Sequence, residues 1–153
     1  MTASKEEYRK RGILFGEGTR VYGKVEFGDD VVIGDYSIIG YDHEQSSYAN
    51  TVRANSIIGG FLCDRALVGC DCRVFGRFLH RAIPPWTDWD QTIEPAPMVA
   101  DRVFIGMGAQ LIGDIKIGKG SYIAASAIVT RSVPASMFVK GVNQVSPLDL
   151  QWT

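Results

Sequence analysis

From residue 99 to residue 134 the chain repeats every six residues without a break, and that period decides what it can fold into. The blocks read Val99-Ala-Asp-Arg-Val-Phe, Ile105-Gly-Met-Gly-Ala-Gln, Leu111-Ile-Gly-Asp-Ile-Lys, Ile117-Gly-Lys-Gly-Ser-Tyr, Ile123-Ala-Ala-Ser-Ala-Ile and Val129-Thr-Arg-Ser-Val-Pro. Each opens on Val, Ile or Leu, and the fifth residue is always small or β-branched. Helices repeat at about 3.6 residues and strands at about 2, so a period of six belongs to neither. It predicts very short strands separated by turns, with one aliphatic per block facing inward and Gly or Asp bending the chain. A hexapeptide period marks a parallel β-helix, in which each coil pairs with the next at a spacing of about 4.8 Å. The expected core is a column of stacked aliphatics.

The same phase is present earlier, from Phe15 through Val21, Phe27, Ile33 and Ile39, and returns in shifted registers at Val52 and Ile58 and again at Leu62, Val68 and Val74. Residues 1–14 are expected to cap the open end of the solenoid. The spacing of Ser4 and Glu7 is that of a capping box, which predicts a short helix over residues 4–11. Residues 15–80 form the first coils, with a loop over 41–51 extruded from one corner. At His80 the repeat stops, and residues 81–98, rich in Pro, Trp and acid, form a long loop that cannot continue a ladder. Regular coils fill 99–134, and a last strand and tail fill 135–153. The chain is read as one domain.

Here the residues carry a resemblance. Ile105-Gly-Met-Gly-Ala, Ile117-Gly-Lys-Gly-Ser, the run from Ile123 to Pro134 and the following Val139-Lys-Gly-Val-Asn resemble the hexapeptide-repeat acyltransferases, which include the galactoside, maltose, serine, streptogramin and nucleotide-sugar acetyltransferases. The resemblance implies an all-β, left-handed parallel β-helix with three hexads to a coil. It also implies a homotrimer that takes acetyl-CoA as co-substrate between subunits and acetylates a hydroxyl or amine of a small polar acceptor, a sugar or nucleotide-sugar.

Composition narrows the partners. A formal net charge of −1 over 153 residues creates no overall field for nucleic acid or an acidic membrane. No apolar run reaches the roughly 18 residues of a membrane span, and the N-terminus carries no apolar leader, so a cytoplasmic protein is expected. Three cysteines, Cys63, Cys70 and Cys72, favour thiols over a disulfide framework. Cys70 and Cys72 are expected to pack on one strand face rather than to bind metal.

His80 is the candidate general base. It stands where the last coil before the long loop opens out, which is where the resembled family places its catalytic histidine, and an imidazole suits removal of a proton from an attacking hydroxyl or amine. A thioester donor is already activated, so the chemistry asks for neither a metal nor a protein nucleophile. His43, opening the 41–51 loop, is the rival and is otherwise a solvated or acceptor-lining residue. The γ-class carbonic anhydrases share the fold but need three histidines per zinc site, and this chain has two. The family's pantetheine positions fall on Met107, Gly108, Ala125, Ser126 and Ala127. Thr130, Arg131 and Lys140 fall near the nucleotide end, with Lys116 and Lys119 read as solvated corners. Where the family commonly continues Gly-Asn-Pro-Ala and a basic residue, this chain has Gly141-Val-Asn-Gln-Val. Gly113 to Gly120 nearly spells a phosphate-binding loop, but its last position is Gly rather than Ser or Thr, and the hexad accounts for the glycines. For the acceptor the loops offer Trp86, Asp88, Trp89, Asp90 and Glu94, with Tyr41, His43 and Tyr48; rings and carboxylates suit a sugar and suit a neighbouring subunit equally. The alternative to an enzyme is a non-catalytic hexapeptide-repeat scaffold.

Overall fold

The computed structural model describes residues 5–40, 49–81 and 95–149. Each hexad forms a strand of two or three residues around its inward aliphatic, such as Val32–Ile33, Ile38–Ile39 and Phe104–Ile105. Among the described residues these strands stack into three sheets of eight, six and five strands, in which parallel neighbours within a sheet are one coil apart. All pairings are parallel except the last. Ile33, Ile58, Val74, Ile105 and Ile123 share one column, Ile39, Leu62, Phe78, Leu111 and Val129 a second, and Val52, Val68, Val99 and Ile117 a third. All of them are buried. The hydrophobic effect acts on these columns, and the backbone groups are satisfied by the ladder of the next coil.

The fifth hexad position also turns inward, which explains its small residues. Ala109 and Ala127 fit there without crowding, and Ser37, Ser56 and Ser121 are buried because each finds backbone partners. Ser56 Oγ donates to Gly69 O at 2.7 Å and accepts from Cys72 N at 2.9 Å; Ser121 Oγ donates to Pro134 O at 2.9 Å and accepts from Met137 N at 3.1 Å.

Three details differ from the sequence reading. The corner between the first and second sheets spans six positions from Phe15 to Val21, but only four from Ile58 to Leu62 and from Val74 to Phe78. Glycine makes the short corners possible: a Cβ on Gly60 would come within 3.0 Å of the Gly76 carbonyl oxygen one coil on. Phe78 is thereby the inward residue, and His80 lies two positions past it. Second, the insertion after Gly40 ends earlier than residue 51, because Asn50–Val52 is already a strand paired with Val25–Phe27, and buried Asn50 accepts a hydrogen bond from Ala66 N through Oδ1 at 2.9 Å. Third, Cys70 and Cys72 do not share a strand face. They flank Asp71, in left-handed conformation (φ 59°), within the turn between Leu67–Val68 and Arg73–Val74.

Both ends of the solenoid are closed. The helix Lys5–Lys10 presents Tyr8 to Phe15 and Phe27, the three rings meeting edge to face at 5.6–5.7 Å. Ser4 of the expected capping box lies outside the described residues. At the other end Met137–Lys140 turns back antiparallel onto Gln144–Pro147. The departing segment Gly141-Val-Asn-Gln is that turn. Asn143 Nδ2 donates to Thr130 Oγ1 at 2.7 Å, and Thr130 N donates to Asn143 Oδ1 at 2.9 Å, tying the hairpin to the coil below.

Cys63, Cys70 and Cys72 form no disulfide. Burial pushes the Cys72 thiol up, Asp101 adds to the shift, and hydrogen bonds from backbone and Ser56 only partly oppose it. Above the ordinary thiol range of about 8.5 the unfolded chain loses this proton while the folded chain keeps it, so stability falls as pH rises, by at most about 1.4 kcal/mol per pH unit. Melting temperatures measured between pH 8 and pH 10 are expected to fall more steeply for the wild type than for Cys72→Ala.

Candidate active site

The second sheet ends each coil at one corner before the chain crosses to the third sheet, and both interruptions of the repeat fall there, one between Gly40 and Ala49 and one between Arg81 and Pro95. The coil between these two supplies Asp64 at the same corner. Register accounts for the pairing. Phe78 lies over Leu62 in the ladder, so the residues two positions later, His80 and Asp64, are stacked neighbours. His80 Nε2 contacts Asp64 Oδ1, and the two side chains are only 4% and 9% exposed. Arg65 Nε stands 3.3 Å from Asp64 Oδ2.

A buried carboxylate against an imidazole has a defined chemical consequence. In the neutral tautomer whose Nε2–H donates to Oδ1, the lone pair of the ring is on Nδ1. This is the arrangement of an oriented general base. Asp64 was not singled out from the sequence, although the signal was present: Leu62-Cys-Asp64 and Phe78-Leu-His80 place their polar residue at the same offset from an inward residue in consecutive short coils.

The other expected site residues separate into two places. Met107, Gly108, Ala125 and Ser126 lie at the opposite corner, between the first and second sheets, with Lys140 at the end of the last first-sheet strand. Met107 is 75% exposed, and Gly108 (φ 74°) and Ser126 (φ 61°) stack in the left-handed conformation, where a Cβ on Gly108 would meet only Ser126 Oγ, in ordinary contact at 3.6 Å. Ala127 is buried and offers only backbone to a ligand. Thr130 and Arg131 are exposed at the His80 corner two coils further on, and the Thr130 hydroxyl is engaged by Asn143. Tyr41, His43, Tyr48, Trp86, Asp88, Trp89, Asp90 and Glu94 lie outside the described residues.

The two shortened corners leave a notch between longer ones. Its groove, of about 620 Å³, is floored by Gly59, Gly60 and Gly76 and walled by Phe61, Phe75 and Arg77. Gly108 stands at one end, and Tyr36, 71% exposed and in the left-handed conformation (φ 59°), at the other. Leu79, the neighbour of His80 in the chain, also lines it. A second groove of about 620 Å³ crosses the outside of the third sheet, where Arg53 and Lys116 flank Leu67 and Met98. Among the described residues no group of three or more His, Cys, Asp or Glu side chains stands together, and no helix is long and apolar enough to cross a membrane.

Residues 97–131 match the family model described as bacterial transferase hexapeptide (six repeats). Over those residues the chain carries the hexapeptide repeat of that family model. Over 46 residues it is 54% identical to a serine acetyltransferase of Mycobacterium tuberculosis, a match covering 30% of this chain and 20% of that protein. Over 44 residues it is 43% identical to a 2,3,4,5-tetrahydropyridine-2,6-dicarboxylate N-acetyltransferase of Staphylococcus aureus, covering 29% and 18%. These matches therefore span about a fifth of the length of the curated relatives. Among solved structures, a mutant of AntD, an N-acyltransferase from Bacillus cereus in complex with dTDP and coenzyme A, superposes with a TM-score of 0.64 at 17% identity, covering 94% of this chain and 87% of the other. That likeness is one of fold: the hexapeptide-repeat protein is all-β, a left-handed parallel β-helix.

Proposed function

We propose that this hexapeptide-repeat protein is a CoA-dependent acyltransferase that moves an acetyl group from acetyl-CoA to a hydroxyl or amine of a small polar acceptor, a sugar or nucleotide-sugar, with His80 as general base. The observation that carries the reading is the buried contact of His80 Nε2 with Asp64 at the corner where the repeat is twice interrupted. In the proposed step the acceptor oxygen or nitrogen attacks the thioester carbonyl carbon as His80 Nδ1 takes its proton. The tetrahedral intermediate then collapses with cleavage of the C–S bond, and the imidazolium returns the proton to the departing thiolate. Asp64 orients the ring throughout.

The open stack of Gly108 and Ser126 with Met107 and Ala125 supports a place for the pantetheine arm, because backbone groups beside residues without bulky side chains are reachable. This stack joins the notch at Gly108, and the notch reaches the His80 strand at Leu79. Arg131 and Lys140 are the cations assigned to the CoA phosphates. The assembly is read as a homotrimer, with CoA held between subunits.

Thermal shift and thiol release test this reading together. A ligand that binds only the native state stabilises it by about 2.7 kcal/mol at a hundredfold excess over its Kd. Acetyl-CoA is expected to raise the melting temperature in proportion, and free thiol to appear only when an acceptor from a panel of serine, amino sugars and nucleotide-activated amino sugars is added. No shift with millimolar CoA or acetyl-CoA overturns the enzyme reading in favour of a scaffold.

A further inference from the structure

The column of left-handed residues at the corner between the first and second sheets runs Gly18, Tyr36, Gly108, Ser126. The coils of Gly59-Gly60 and Phe75-Gly76 contribute nothing to it, and the notch occupies their two steps. From the level of Tyr36 to that of Gly108 is three coil spacings, about 14 Å. The two most exposed large apolar side chains among the described residues stand at its rims: Tyr36, 71% exposed, at one end, and Met107, 75% exposed, beside Gly108 at the other. The Tyr36 ring lies across the coil before it, since a Cβ on Gly18 would run into it, and most of the ring is left open.

Between the rims stands one cation. Arg77 lies in the ladder between Phe61 and Gln110, both uncharged, and among the described residues its guanidinium makes no ion pair and no hydrogen bond. The acid next to Tyr36 in the chain, Asp35, is engaged on the earlier coil, where its Oδ1 accepts from Glu17 N at 2.7 Å. An uncompensated guanidinium among apolar walls suits a phosphate, which it meets with two parallel N–H bonds, whereas a hydrocarbon chain would cover it without pairing it. An open aromatic ring suits the flat face of a base. Two coil steps, about 10 Å, separate the levels of Tyr36 and Arg77, and in a nucleotide a ribose stands between base and phosphates.

We propose that the notch binds a nucleoside diphosphate, its base on Tyr36 and its phosphates on Arg77, so that the acceptor is a nucleotide-activated sugar. Arg131 and Lys140, assigned to the CoA phosphates, lie on the last two coils of the solenoid, so a donor running past Ser126 and Gly108 brings its thioester end to the notch, one of whose coils carries His80. The acceptor role rests on the acyltransferase reading; the binding of nucleotide does not.

Calorimetric titration with UDP and with dTDP, in the absence of acetyl-CoA, tests it. The wild type is expected to bind one or both with a Kd below about 1 mM. Tyr36→Asn, which suits the left-handed turn, and Arg77→Gln are each expected to weaken that binding about tenfold or more while melting near the wild-type temperature. Tyr36→Phe and Arg77→Lys, which keep the ring and the charge, are expected to bind more tightly than Tyr36→Asn and Arg77→Gln. Adenosine 3′,5′-bisphosphate, the nucleotide end of CoA, is expected not to displace the bound diphosphate. Absence of saturable binding by both diphosphates overturns the proposal, as does wild-type affinity in Tyr36→Asn or in Arg77→Gln, or equal weakness within either pair of variants. Displacement by the bisphosphate also overturns it, because the notch then belongs to CoA. Thiol release with a phosphate-free acceptor and no nucleotide binding ends this proposal and leaves the acyltransferase. Nucleotide binding weakened by both variants, with no shift on acetyl-CoA, ends the acyltransferase reading and leaves the nucleotide site.

Discussion

Replacing His80 by alanine is expected to lower turnover by about two to four orders of magnitude, the range over which a positioned general base contributes to proton transfer. The residues assigned to CoA lie at the opposite corner of the coil or two coils further on, so the melting-temperature rise with acetyl-CoA is expected to survive the substitution. That combination, lost turnover with retained binding, separates loss of a base from loss of the fold. A variant that turned over near the wild-type rate would end the assignment. Paired measurements of thiol release and thermal shift on the same preparation give the answer.

The largest loss of stability is expected from Phe78→Ala. Phe78 is fully buried in the second column, between Leu62 and Leu111. It is the one aromatic ring in that column among the described residues, and it sits on a coil whose corner is already two residues short. A neighbouring coil cannot move in to fill the space, since the strand spacing is set by the ladder and Gly76 is packed against the Ala109 carbonyl oxygen. The cavity therefore stays open, and the cost is expected at about 3–5 kcal/mol, or a fall of roughly 10 °C in melting temperature for a domain of this size. Calorimetry or circular dichroism checks it, and Phe78→Leu, which keeps most of the volume, is expected to recover much of the loss. A change of less than about 1 kcal/mol in Phe78→Ala would show that the coil relaxes after all.

Much of the architecture is legible in the residues because the repeat is written in them. The inward aliphatics from Val99 to Val129, the buried fifth positions and the parallel stacking all follow from a period of six, which leaves each coil no other way to bury one face and pair its backbone. The middle coils are harder to read. Ile58 to Leu62 and Val74 to Phe78 break the period by two, and a pattern that depends on phase cannot show where a shortened corner re-enters the core. Phe78 is for that reason hidden inside a hexad counted from Val74. The turn at Gly141 was legible only as a departure, since its function, tying Asn143 to Thr130, is made across 13 residues.

By itself the sequence determined the class of fold, the two places where the solenoid is interrupted, and His80 as the residue at the second of them. Only the tertiary structure decided what His80 touches. Asp64 lies 16 residues away, a separation that means nothing until one knows that the coil between them is 16 residues long and returns the chain to the same corner. Coil length is set by how tightly glycine lets two corners turn, and that is a property of packed backbones rather than of any local signal. The same cause opened the notch lined by Gly59, Gly60 and Gly76.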